Sequence, residues 1–191
     1  MASPFSIKRA ADILLGGGVI AYPTEGVYGL GCIPADPAAV MRILDIKSRS
    51  VTAGLILISP DYALLEAWLA PDERELKAIQ THSNHPITWV VTANPATPDW
   101  LTGGRPTLAI RISSHPVVGA LCAATGSALV STSANRSGRP AARSALMARK
   151  SLGSSVDYVV SGPLGSARGA SEIRVAQDNR VLRPAGTVPP P

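Results

Sequence analysis

Hydrophobic and polar positions follow two different periods along this chain. At 19–22 four apolar residues, β-branched and aromatic among them, run unbroken to Pro23 and predict a buried strand. The nine residues that follow, 24–32, contain Thr24, Glu25, Tyr28 and three glycines and are read as a loop. A hydroxyl, a carboxylate, a phenol and bare backbone N–H groups thus stand at the C-terminal end of a strand, where open α/β sheets bind ligands. The same residues also suit a glycine-rich turn that Thr24 and Glu25 merely cap.

The 3.6-residue period governs other stretches. Ser6 is placed to cap a helix over 7–15, which Gly16-Gly17-Gly18 would end. Asp36-Pro37 is a helix start with Asp at the N-cap and Pro at the first helical position, and Val40, Ile43 and Leu44 form its apolar face. Lys47 continues that face, so it points into a cleft or snorkels past one. A strand at 55–58 and two short helices near 61–69 and 71–82 follow. Strands are predicted at 87–92 and 107–112, the second with Leu108, Ile110 and Ile112 on one face and Arg111 on the other. A helix opening at His115-Pro116, a strand at 128–131, a hydroxyl-rich loop over 132–140 and a helix at 144–152 come next. Strands at 156–160, 171–175 and 181–183 and a frayed tail at 186–191 complete the reading. The mixture lacks a strict βαβ alternation and shows no repeat, which predicts a single α/β (α+β) domain over 1–191, built on a mixed sheet.

Composition narrows the classes. The chain has 191 residues, 46% hydrophobic, with only 4% aromatics, so its core is aliphatic. No apolar run approaches a membrane span and the start has no secretory signal pattern, so a cytoplasmic protein without membrane association is expected. Cys32 and Cys122 are too far apart to suggest a disulfide framework, and His82 and His85 form an H-x-x-H pair without further ligands, so no metal site is expected. Charge is divided unevenly: residues 1–99 carry seven Lys/Arg against ten Asp/Glu, and 100–191 carry eleven against three. No acidic residue occurs from Trp100 to Val156. Such a field attracts phosphates, whether of a nucleotide or of RNA, or is a solvated basic surface.

Neither of the two commonest phosphate loops, G-x-x-x-x-G-K-[ST] or strand-borne G-x-G-x-x-G, is present. Lys47 and Arg49 project to one side if the chain is extended there and form a phosphate clamp; alternatively they complement a helix dipole. The stretch from Ser131 to Gly138 offers hydroxyls and an amide to phosphate, ribose or base, or is an elaborate turn. Arg111 needs an anionic partner, either Glu25, another structural carboxylate or a substrate carboxylate. No Ser/His/Asp set is apparent. The inventory suits electrostatic stabilisation rather than a side-chain nucleophile.

In order along the chain stand AYPTEGVYGLGC at 21–32, IKSR at 46–49, GLILI at 54–58, LAIRISSHP at 108–116, LVSTSANRSG at 129–138, SEIR at 171–174 and LRPAG at 182–186. This combination resembles the YrdC/Sua5 family, in its single-domain branch. The resemblance implies a twisted mixed sheet flanked by helices around a positively charged concave cleft. It also implies a reaction, in which L-threonine, bicarbonate and ATP (with Mg²⁺) give L-threonylcarbamoyladenylate and pyrophosphate. Partner proteins would use this product to modify adenosine 37 of tRNAs reading ANN codons. On these positions the resemblance implies threonine binding by Thr24 and Arg111 and catalytic, phosphate-holding roles for Lys47 and Arg49. Ser133, Asn135, Ser171 and Arg183 would bind the nucleotide. The chain departs from the family pattern at Gly26, where threonine is usual, at His85, where glycine is usual, and over 170–175, which lacks a final aspartate. A module binding RNA without catalysis is the competing expectation, weakened by the absence of a stacking platform of aromatics.

Overall fold

Tyr22, a wholly buried tyrosine, explains why the glycine-rich stretch is where it is. The structure, a computed structural model, describes residues 2–81 and 83–186. His82 and the expected tail beyond Gly186 lie outside the described residues. Rather than a loop, 24–32 forms the turn and second strand of a hairpin: β1 (Ile20–Pro23) pairs antiparallel with β2 (Tyr28–Gly31). A β-carbon on Gly29 would meet the Tyr22 ring at 3.2 Å, and one on Gly31 would be driven into both that ring and the Val130 carbonyl. The glycines admit the ring and a neighbouring strand.

The remaining strands are β3 (Ile56–Ser59), β4 (Ile87–Thr92), β5 (Thr107–Ile112), β6 (Leu129–Ser133), β7 (Tyr158–Val159), β8 (Glu172–Val175) and β9 (Val181–Arg183). They form one mixed, twisted sheet in the order β7-β1-β2-β6-β3-β5-β4-β8-β9. Three pairs are parallel, β1 with β7, β3 with β5 and β4 with β8.

Helices cover the sheet unequally. On one face Leu57, Val91, Leu108, Ile110 and Val130 pack in a core shared with Val40, Ile43 and Leu44 of α2 (Pro37–Ile46). The opposite face carries Ile20, Tyr22, Ile58 and Leu129 under α1 (Pro4–Leu15) and the helix that follows β5, Pro116–Thr125. Strands alternate their side chains, so the same face continues past Ile58 and Leu129 as Ile56, Ala109, Arg111 and Ser131. Among the described residues no helix covers that half, and it is the floor of a cleft.

Local chemistry shifts several boundaries. The first helix begins at Pro4, not Ile7, because Ser3 accepts from the Ser6 N–H (3.2 Å) and Pro sacrifices no bond at a first-turn position. The helix expected at 61–69 is only a 3₁₀ turn, Glu66–Trp68, since Leu69 forms a β-bridge with Ala93. The helix expected at 71–82 is α3 (Glu73–Ile79), closed at its start by a reciprocal Asp72–Glu75 capping box. Unforeseen were α4 (Asp99–Thr102) and a 3₁₀ turn at Val51–Ala53. The helix after β5 becomes α5, and α6 (Ala145–Leu152) starts one residue later than expected, because Ser144 is its N-cap and accepts from the Met147 N–H. Among the described residues no helix is long and apolar enough to cross a membrane.

Candidate active site

The end of α2 determines where its cations go. Ser48 N–H donates to Asp45 O and Arg49 N–H to Leu44 O, both at 2.9 Å, and Ser48 has φ 48°. This is a left-handed helix termination with serine where glycine is usual. The condition set for a clamp, an extended chain at 47–49, is not met; Lys47 enters the cleft from the C-cap of α2 and Arg49 from beyond the reversal at Ser48.

Lys47 is buried, and its ammonium is surrounded by oxygen. Nζ lies 2.8 Å from Ser133 O, 3.2 Å from Ser133 Oγ, 2.9 Å from Asn135 O and 2.6 Å from Asn135 Oδ1. Ser133 Oγ in turn donates to Asn135 Oδ1 (2.7 Å), and Asn135 Nδ2 donates to Arg139 O. Burial, and then the Arg49 charge, lower the Lys47 pKa to about 8. Arg49 is itself pushed down by burial and by Arg105.

Two more guanidiniums converge from the far strands. Arg183 of β9 donates to Ser171 O at 2.8 Å, and burial together with Arg111 and Arg49 lowers its pKa. The Ser171 hydroxyl pairs with Thr88 Oγ1 at 2.7 Å in a buried contact. Among the described residues Arg111 has Glu25 as its ion-pair partner, Nη2 to Oε2 being 3.8 Å, too long for a hydrogen bond. Thr24 closes the hairpin turn, as the capping alternative expects. Its Oγ1 donates to Val27 O (2.7 Å), and the residue also lines the cleft.

Thr24, Lys47, Arg49, Arg111, Ser133 and Asn135 thus share one cleft of about 1440 Å³, with Ser171 and Arg183 completing it. That exceeds the roughly 300–1,000 Å³ of a single-ligand pocket and leaves room for two substrates. Among the described residues its charged lining is Lys and Arg, with no Asp or Glu. Sequence reasoning had not singled out Arg105, although it belongs to the acid-free stretch that signalled a cationic surface. Arg105 donates to Thr102 O (3.2 Å) and Thr52 O (2.5 Å), fixing the loop that bears Arg49.

The departures at Gly26 and His85 have local explanations. The segment 161–171 straps the hairpin turn, with Gly165 N–H donating to Thr24 O and Ala167 N–H to Glu25 O, both at 3.1 Å. A β-carbon on Gly26 would collide with the Gly169 carbonyl, so this strap requires glycine. His85 Nε2 lies 3.6 Å from Glu172 Oε1, and Arg174 pairs with the same oxygen.

Converging guanidiniums, a caged ammonium and hydroxyls on the open half-face of a mixed sheet define an α/β protein built to hold polyanionic, nucleotide-like ligands. A profile of the Sua5/yciO/yrdC family, described as telomere recombination, matches residues 12–185, and the chain belongs to this family. A threonylcarbamoyl-AMP synthase of Nitrosococcus oceani is 46% identical over 185 residues, 96% of this chain and 100% of that protein. The crystal structure of P. abyssi Sua5 complexed with L-threonine superposes with a TM-score of 0.88 at 27% identity, over 96% of this chain; the chain spans 55% of that one. E. coli YciO gives a TM-score of 0.80 at 26% identity, covering 94% of this chain and 88% of its own.

Proposed function

We propose that this chain is a threonylcarbamoyl-AMP synthase. It condenses L-threonine, bicarbonate and ATP to L-threonylcarbamoyladenylate and pyrophosphate. The observation that carries the reading is the convergence of Thr24, Lys47, Arg49, Arg111, Ser133, Asn135, Ser171 and Arg183 on one cleft large enough for an amino acid beside a nucleotide. Relatives bearing that name at 43–46% identity over almost the whole chain support it.

The chemistry matches the inventory. Threonine's amine and bicarbonate give a carbamate and water. A carbamate oxygen then attacks the α-phosphorus of ATP, forming the acyl–phosphate bond as the bond to pyrophosphate breaks. No enzyme nucleophile enters. The protein's task is to bring anions together and stabilise charge moving onto pyrophosphate, which preorganised cations do best in a site shielded from water. In this reading Arg111 and Thr24 receive threonine. Arg49, Arg183, Ser171 and the Lys47–Ser133–Asn135 cluster receive the nucleotide. Mg²⁺ arrives as part of the ATP complex.

The product would pass to partner proteins for N6-threonylcarbamoyladenosine formation at position 37 of tRNAs reading ANN codons, in the cytoplasm. The exposed arginines at 136, 139 and 143 favour a weak additional affinity for RNA. The test is pyrophosphate release from ATP and Mg²⁺ with threonine and bicarbonate supplied or withheld. Release that needs both is expected. Release indifferent to threonine would overturn the reading, and a tight, salt-resistant RNA complex without turnover would favour the binding module.

A further inference from the structure

Among the described residues two carboxylates approach the arginines of the cleft: Asp178 pairs with the exposed Arg180, and Glu25 stands buried behind Arg111. We propose that Glu25 is a positioning residue for Arg111, a buried counter-ion that holds its guanidinium incompletely paired and ready for a carboxylate ligand. This rests on the reading of the cleft as an amino-acid and ATP site.

The pair is enclosed but unfinished. Glu25 and Arg111 side chains are 13% and 10% exposed, and their closest approach, 3.8 Å, is too long for a hydrogen bond. Among the described residues neither Glu25 Oε2 nor Arg111 Nε has a hydrogen-bond partner, although both are shielded from solvent. Buried polar groups are normally satisfied, and a guanidinium makes its strongest contacts as a two-pronged fork. Arg111 is held near its place by charge while its Nε donor stays uncommitted.

Glu25 cannot simply swing to close the gap. Its other oxygen, Oε1, accepts from Ser113 Oγ, which itself accepts from the His115 N–H at 3.2 Å. His115 Nδ1 accepts from the Val117 N–H (3.3 Å) and Nε2 faces Pro163 O (3.3 Å), an arrangement of neutral imidazole with its proton on Nε2. Burial lowers the His115 pKa despite the nearby carboxylate, so no imidazolium competes for Glu25. The backbone of Glu25 is fixed by Ala167. On the cleft side Arg111 meets cations, Arg183 among them. Glu25 is the charge that lets these guanidiniums converge before an anion binds. It does not line the cleft, so it acts through Arg111.

The test uses Glu25→Gln, which keeps the size and the contact with Ser113 and removes the charge. With Arg111 no longer anchored, KM for threonine should rise about tenfold, with kcat and KM for ATP changed by less than about twofold. In an Arg111→Ala background Glu25→Gln should add nothing. An unchanged threonine KM, parallel losses in kcat and both KM values, or full additivity with Arg111→Ala would overturn the proposal. A readout independent of turnover is the Nε–H resonance of Arg111 in ¹⁵N-labelled protein, assigned with Arg111→Lys. It should shift in Glu25→Gln while other arginine resonances stay put, and an unmoved resonance would overturn the proposal. Absence of threonine-dependent turnover in the unmutated protein would instead defeat the parent reading.

Discussion

Lys47 Nζ lies 2.6 Å from Asn135 Oδ1, joining the end of α2 to the loop after β6 across 88 positions of sequence. With Ser133 adding two more oxygens and Asn135 its carbonyl, the ammonium faces more acceptors than it has protons. This contact turns two separate sequence motifs into one rigid wall of the cleft.

A pH dependence follows from the Lys47 pKa of about 8, well under its ordinary 10.5. The protonated form attracts phosphate, so the dissociation constant for pyrophosphate, measured by calorimetry, should rise as pH increases through about 8. Lys47→Met should bind weakly and lose that inflection. Without ligand the sign for stability is opposite. Between about 8 and 10.5 the unfolded chain holds the proton more tightly, so this group's contribution to folding improves with pH across that window. A pH titration of the urea midpoint of both proteins checks this.

Gly26→Ala should destabilise the fold by about 1–3 kcal/mol, the usual range for forcing atoms into filled space. The β-carbon strikes the Gly169 carbonyl, so the strap must move from the hairpin turn. Urea unfolding measures the loss. A wild-type midpoint would mean that the strap does not lie against the turn.

Ser48→Gly should stabilise the protein, because a non-glycine residue in the left-handed region costs roughly 1–2 kcal/mol, only partly offset by glycine's greater freedom when unfolded. A higher thermal midpoint with turnover preserved is the expected result. A lower midpoint would show that the Ser48 side chain contributes something that its backbone angle does not reveal.

Thr88→Val or Ser171→Ala leaves one buried hydroxyl without its partner and should cost about 1–3 kcal/mol each. The double variant Thr88→Val/Ser171→Ala should cost less than the sum of the singles. Additive losses would argue against the hydroxyl pair.

Much of this architecture was readable because it depends on local pattern. The cap at Asp36, the face of Val40, Ile43 and Leu44, and the alternation that isolates Arg111 all follow from periodicity. The strand β2 escaped because its glycines lower strand propensity, and their reason lies in the Tyr22 ring across the hairpin. The left-handed Ser48 escaped because serine gives no signal for that geometry. Pairings between distant residues were also invisible. His85, Glu172 and Arg174 fall in segments that depart from the family pattern, yet His85, just ahead of β4, and Arg174 both pair with Glu172 of the neighbouring β8, and no single window contains both His85 and Glu172. Arg105 needed the fold to place it against Thr52.

The order of strands has a consequence for biogenesis. The parallel neighbour of β1 is β7, with Ile20 beside Tyr158, and the β8–β9 hairpin that carries Arg183 joins the sheet through the pairing of β8 with β4. Such long-range pairings form late, because chain entropy must be surrendered before they are rewarded. During translation, therefore, the cations that would grip ATP stay apart until almost the last strand has left the ribosome. A chain that stops short of β9 lacks Arg183, so the cation lining of the cleft is complete only when the final strand is in place.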